Sequence, residues 1–291
     1  MAYLVLDVGG SSIKFALADD AYQLTDKGSV ANEWASHADF IEAIGGIYDS
    51  FAGIAMSCCG ELDPGTGEMF NGGTLLFNEG TNMIASVSAR CPVPVTLEND
   101  ANCALLAEMH DGVLSDCTNG IALVMGSGVG GALMINRHIY HGSHFHSGNA
   151  SYSKPDISDP EGPMLSDVNG VPALASGYAR LAGLDPARVD GRQVFEMVDA
   201  GDPHAIAALD AFCRRLATYV FNTQLILDVE AVAIGGGISV RPVFIQTLRR
   251  HVAEVFAGCI VKIPVPEIRV CRYFNDANLV GALYHHLDAT R

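Results

Sequence analysis

Two stretches decide the fold: Ala2-Tyr3-Leu4-Val5-Leu6-Asp7-Val8-Gly9-Gly10-Ser11-Ser12-Ile13-Lys14-Phe15-Ala16-Leu17-Ala18 and, a hundred residues on, Asn119 to Met125 followed by Gly126-Ser127-Gly128-Val129-Gly130-Gly131 and Ala132-Leu133-Met134-Ile135. Each is an apolar run, a glycine turn and a second apolar run, which reads as strand, turn, strand. Adjacent glycines beside hydroxyl residues let backbone N–H groups close on an anion, and Asp7 at its strand end can hold a cation through water. An ordinary hairpin turn explains one such loop equally well. The second stretch also fits GxGxxG, but that reading needs a helix directly after the glycines, and a strand and turn follow instead.

A third glycine loop has a different setting. Ala231 to Ile234 is a buried strand, and Gly235-Gly236-Gly237-Ile238 leads from it toward a helix over 242–256. Bare backbone there admits a flat ring, and the helix start favours nearby negative charge. A fourth apolar strand, Val93 to Leu97, runs into Glu98-Asn99-Asp100-Ala101-Asn102 and a helix. A carboxylate at that junction is held by ordered backbone on both sides, which suits a base that accepts a hydroxyl proton. Helix capping by Asn99, Asp100 or Asn102 is the competing reading.

Between these landmarks the periodicity predicts helices over 39–51, 171–183, 191–200, 203–228 and 277–287, with strands over 53–57 and 268–272. The loops Cys58 to Gly67, Asn71-Gly72-Gly73-Thr74 and Asn78 to Asn82 offer amides and free backbone to a polyhydroxylated ligand. Residues 156–170 read as a surface excursion. His138, His141, His144 and His146 cluster in a glycine- and serine-rich stretch without helical spacing, so we read them as loop histidines rather than metal ligands.

Composition narrows the function classes. With 291 residues, 49% of them hydrophobic, the chain can bury two cores, and a net charge of -16 repels nucleic-acid phosphates. The eight cysteines are scattered without a CxxC pair, so they read as reduced core residues. No apolar run spans a bilayer and no leader pattern opens the chain, so a cytoplasmic protein away from membranes is the expectation.

Taken together, the motifs at Asp7-Val8-Gly9-Gly10-Ser11, Leu97 to Asn102, Gly126 to Gly131 and Gly235 to Ile238 resemble, in order and over nearly the whole chain, those of the ROK sugar kinases within the actin-like ATPase superfamily. The resemblance implies an α/β fold of two actin-like (ribonuclease H-like) lobes with a cleft between them. The expected lobes are 1–115 for sugar and phosphate and 116–291 for nucleotide, with the last helix packing back on the first.

It further implies phosphoryl transfer from ATP with Mg2+ to a sugar hydroxyl, the 6-hydroxyl of a hexose or β-glucoside, with Asp100 as general base. ATP and phosphate would meet Asp7, Gly9, Gly10, Ser11, Gly126, Ser127, Gly128, Gly235, Gly236 and Gly237, with Asp7 touching Mg2+ through water. Sugar would meet Gly60, Asn82, Asn99, Asp100, Asn149 and Tyr152, and a homodimer is expected. Two departures stand out. The cysteine-rich zinc loop of many members is missing between Tyr152 and Gly170, so no zinc is expected. Asn149 and Tyr152 occupy positions where the family commonly has Glu and His.

The glycine pattern at Asn71 to Gly80 is similar to the zinc-free branch that includes β-glucoside kinases. Glucokinase or N-acetylmannosamine kinase specificity is the alternative. Sugar-responsive repressors of the family carry a helix-turn-helix ahead of the first strand, which this chain lacks, so nucleic acid is not an expected partner. A sugar sensor without turnover remains a second reading. An activator of a radical enzyme would need cysteines spaced for an iron-sulfur cluster.

Overall fold

The computed structural model describes residues 1–290 and divides them into two compact units, one of 1–115, 141–147 and 275–290, the other of 116–140 and 148–274. The short segment His141–Ser147 and the last helix therefore group with the first unit.

The first unit is built on β1 (Tyr3–Val8), β2 (Ser12–Ala18) and β3 (Leu24–Ala31), followed by α1 (His37–Ile47) and β4 (Ile54–Cys58). The two-residue β5 (Glu61–Leu62) and β6 (Met69–Asn71) form a hairpin, and α2 (Met83–Arg90), β7 (Val95–Asn99) and α3 (Asp100–His110) follow. The sheet order is β3-β2-β1-β4-β7. β1, β4 and β7 run parallel, with Val8 opposite Cys58 and Cys58 opposite Asn99, so their carboxyl ends lie side by side.

β1 is buried throughout, and its alternation serves two cores. Leu4, Leu6 and Val8 pack with Phe40, Ile44, Met56 and Met83, while Tyr3 and Val5 pack on the opposite face. Asp7 shares that second face by register. α1 ends at Ile47, not at Phe51, because Tyr48 turns to an extended ψ of 133° and caps onto Ile44 O.

The second unit repeats the plan. It contains β8 (Gly120–Met125), β9 (Val129–Ile135), β10 (His138–Ile139), α4 (Leu165–Asn169), α5 (Val171–Ala182), α6 (Gly191–Asp199), α7 (Pro203–Leu227), β11 (Ala231–Gly235), α8 (Pro242–Ala257) and β12 (Glu267–Val270). Its sheet order is β10-β9-β8-β11-β12, with β8, β11 and β12 parallel and β9 antiparallel to β8. The helices close one face over Ile121, Leu123, Val232 and Ile234. The expected surface excursion is not loop to its end: α4 buries Leu165 and Asn169, and Asn169 Nδ2 donates to Phe212 O at 2.8 Å.

The last helix, α9 (Ala277–Thr290), completes the first unit against α3, β4 and β7. It approaches α3 so closely that a Cβ on Gly281 would strike the Cys103 carbonyl. Glycine is required there by proximity. No helix among the described residues is long and apolar enough to cross a membrane.

Candidate functional site

Three parallel strand ends in the first unit gather the polar residues. Ligands of open α/β sheets bind outside such carboxyl ends. Asp100 follows β7 as the first residue of α3, and the preceding Asn99 supplies the cap: its Oδ1 accepts from Ala101 N at 2.9 Å and Asn102 N at 3.3 Å. The capping reading therefore belongs to Asn99, which leaves Asp100 half-buried with Oδ1 accepting from Ala101 N at 2.8 Å. Burial, with the nearby Asp7 carboxylate adding to it, pushes the Asp100 carboxyl up from 3.8 to about 6 despite the Ala101 amide.

Asn99 Nδ2 also donates to Gly60 O at 2.9 Å, tying the Asn99–Asp100 turn to the loop after β4. Gly60 has a φ of +106°, and a Cβ there would strike the Asn71 carbonyl. Gly10 is equally close to Thr74, so the first glycine loop and the Asn71–Thr74 loop touch. Asn82 Oδ1 caps α2 through Ala85 N and its Nδ2 donates to Thr66 O, both at 2.8 Å, which fixes the loop it starts from.

Asp7 is buried and accepts from Asn278 Nδ2 at 2.9 Å, Lys14 Nζ at 3.3 Å and Ser57 Oγ at 3.5 Å. No group of three or more His, Cys, Asp or Glu among the described residues can cage an ion. One carboxylate with remaining lone pairs fits Mg2+ held mainly by water and phosphate. The hairpin of Gly9, Gly10 and Ser11 is buttressed by Asn32, whose Nδ2 donates to Gly9 O at 3.0 Å. Its Oδ1 is buried without a partner, an acceptor left open beside that loop.

Two residues of this region escaped the sequence reading. Cys59 is half-exposed, and hydrogen bonding with Cys58 and Thr74 lowers its thiol to about 7 against the effect of burial. Glu98 is buried, with His141 Nε2 2.8 Å from its Oε2. His146 lies 3.4 Å from Glu61, so these two loop histidines pair with carboxylates.

In the second unit the two remaining glycine loops come together. Gly235 is opposite Val124, and Gly236, at φ +86°, lies against the Met125 carbonyl, where no Cβ fits. Gly126 N donates to Gly128 O at 2.9 Å, closing the turn, with Ser127 exposed at its tip. Ser166 Oγ accepts from Val129 N at 2.9 Å, and Val171 N donates to Gly126 O at 2.8 Å, bracing the turn from α4 and α5. Gly237 is open, and α8 starts without a side-chain cap. Asn149 and Tyr152 also lie in this unit; Asn149 Oδ1 accepts from Ser151 N at 3.1 Å and Tyr152 is 53% exposed.

The glycine loops, their order and the doubled sheet all agree with one family description, whose model matches residues 3–288. The chain belongs to the ROK family. A β-glucoside kinase of Klebsiella pneumoniae is 30% identical over 98% of this chain and 96% of its own length. A β-glucoside kinase of Listeria innocua is likewise 30% identical, covering 99% and 98%. A ROK family protein of Streptococcus pneumoniae TIGR4, solved in complex with sucrose, superposes with a TM-score of 0.89 at 28% identity over 99% of each chain. The fold is thus that of the ROK sugar kinases, the actin-like ATPase fold.

Proposed function

We propose that the protein is an ATP-dependent sugar kinase that phosphorylates a hydroxyl of a β-glucoside, the 6-hydroxyl by family resemblance. The observation that carries the reading is Asp100: a half-buried carboxylate at a strand-to-helix junction, held by a capped turn, with its pKa raised to about 6. Such a group is ionised at neutral pH yet better matched to a hydroxyl proton than an ordinary aspartate. It accepts that proton as the oxygen attacks the γ-phosphorus of ATP, and ADP leaves with the broken P–O bond. Positioning and electrostatics supply most of the rate in this chemistry.

In this reading the first unit takes the sugar, through Asp100, the loop at Gly60 and the second N–H of the Asn99 side-chain amide, and contributes the Gly9–Ser11 loop to phosphate. The second unit takes the nucleotide on Gly126–Gly128 and Gly235–Gly237. Asp7 is the residue that would hold Mg2+, which would supply positive charge to offset that of the transferring group. The β-glucoside class is supported by the two named relatives and by Phe70, 44% exposed and stacked on Phe145 at 5.7 Å between centroids, a flat apolar face for an aglycone.

The test is ADP release from MgATP over a panel of free hexoses, N-acetylhexosamines and β-glucosides. Turnover of β-glucosides above free hexoses supports the reading. Preference for glucose or N-acetylmannosamine would replace the substrate while keeping the chemistry.

A further inference from the structure

Glu98 is 1% exposed, and its carboxylate is fully engaged. Oε1 accepts from Asn99 N at 2.7 Å and Asn102 Nδ2 at 2.9 Å, and Oε2 stands 2.8 Å from His141 Nε2. A buried carboxylate without a cation would be strongly disfavoured. Two imidazoles face it. His285 Nδ1 is 4.0 Å away, and burial keeps its pKa low, with Asp288 beyond it. His141, 29% exposed, is raised chiefly by its hydrogen bond to Glu98, with Asp63 adding a second negative neighbour. Glu98 is lowered despite its burial by His141, His285 and Asn102. Cys103 on α3 is the remaining titratable neighbour and stays a thiol, its pKa raised by burial. The cation of the pair is therefore His141.

The placement of this pair goes beyond the needs of a helix start. Asn99 already caps α3, yet Glu98 additionally grips the Asn99 amide and the Asn102 side chain, one residue before and two after the proposed base. The partner that fixes Glu98 comes from His141–Ser147, a segment flanked on both sides by chain of the second unit. We propose that Glu98 and His141 are positioning residues of the sugar site. The protonated imidazole fixes the buried carboxylate, the carboxylate fixes the Asn99–Asp100 turn, and sugar affinity depends on the charge of His141. This rests on the reading of Asp100 as the base.

The charge has a defined window. A histidine raised by a partner is charged below its folded pKa and loses the pairing as pH rises through it. Sugar affinity then weakens on the alkaline side of a value above 6.5, while Asp100 governs the acid side near 6.

The experiment uses the full chain with methyl β-D-glucoside and glucose as probes, read by calorimetric affinity, by KM and kcat, and by the NMR titration of the histidine C2 protons. Wild type should show His141 titrating above 6.5, and Glu98→Gln should bring it down. His141→Gln should raise the sugar KM about tenfold, leave the ATP KM within about twofold and abolish the alkaline limb, as expected from losing a charge-assisted hydrogen bond. His141→Lys, which keeps a cation, should restore the sugar KM and stay flat at high pH.

An unchanged sugar KM and alkaline limb in His141→Gln overturns the proposal. So does a joint fall in kcat, both affinities and melting temperature that lysine does not reverse, the pattern of a merely structural pair. Turnover by Asp100→Asn would overturn the base assignment alone, since the His141 titration is read without substrate. A wild type that binds neither sugar overturns both.

Discussion

Acidification below pH 6 should remove activity through one group. Asp100 is raised from 3.8 to about 6, first by burial and then by Asp7, against the Ala101 amide. As the base it must be ionised, so about nine-tenths is competent at pH 7 and about one-tenth at pH 5, and kcat/KM falls about tenfold per unit below 6. An unperturbed aspartate would leave the profile nearly flat to about pH 5 and half lost only near about pH 4. Two pKa units correspond to roughly 3 kcal/mol between the protonation states, and removing the neighbouring anion should recover part of it. Asp7→Asn should thus move the acid limb downward, whatever it does to the KM for MgATP.

The assay is initial ADP release at subsaturating sugar from pH 4.5 to 8, with the melting temperature followed in parallel. Asp100 binds its proton more tightly folded than unfolded, so at this residue acidification favours the fold. Activity should fall between pH 6 and 5 before the fold does. A profile flat to pH 4.5, or a limb unmoved in Asp7→Asn, would refute the reasoning.

Asn99→Ala removes the α3 cap and the bond to Gly60; a cap is worth about 0.5–2 kcal/mol and a hydrogen bond about 0.5–1.5 kcal/mol, so denaturant unfolding should show a loss of about 1–3 kcal/mol together with a higher sugar KM. Gly236→Ala, which places a methyl against the Met125 carbonyl, should raise the ATP KM at least tenfold in steady-state kinetics and leave sugar affinity by calorimetry unchanged. Phe70→Ala should weaken aryl β-glucosides several-fold in KM and leave methyl β-D-glucoside nearly untouched, since only the former reach beyond the sugar ring.

Much of this was legible because it is periodic or punctuated. Buried strands with glycines at their ends announce themselves locally, and both glycine hairpins, the strand before Asp100 and the long α7 were predicted within a few residues. β3 was not, since Leu24–Ala31 is a mostly exposed edge strand without apolar alternation. Nor was α2, whose eight residues include two serines and whose start rests on the Asn82 cap. The pairing of Glu98 with His141 was invisible for a different reason. Its members are 43 residues apart and meet only through tertiary packing, which no local pattern encodes. Cys59 looked like its buried neighbour Cys58 because sequence does not say which side of a strand end faces solvent.

The central claim is best tested by Asp100→Asn run beside wild type on β-glucosides with MgATP, with sugar affinity read by calorimetry. Sugar binding should be retained and turnover reduced by several orders of magnitude. Near-normal turnover in Asp100→Asn would contradict it.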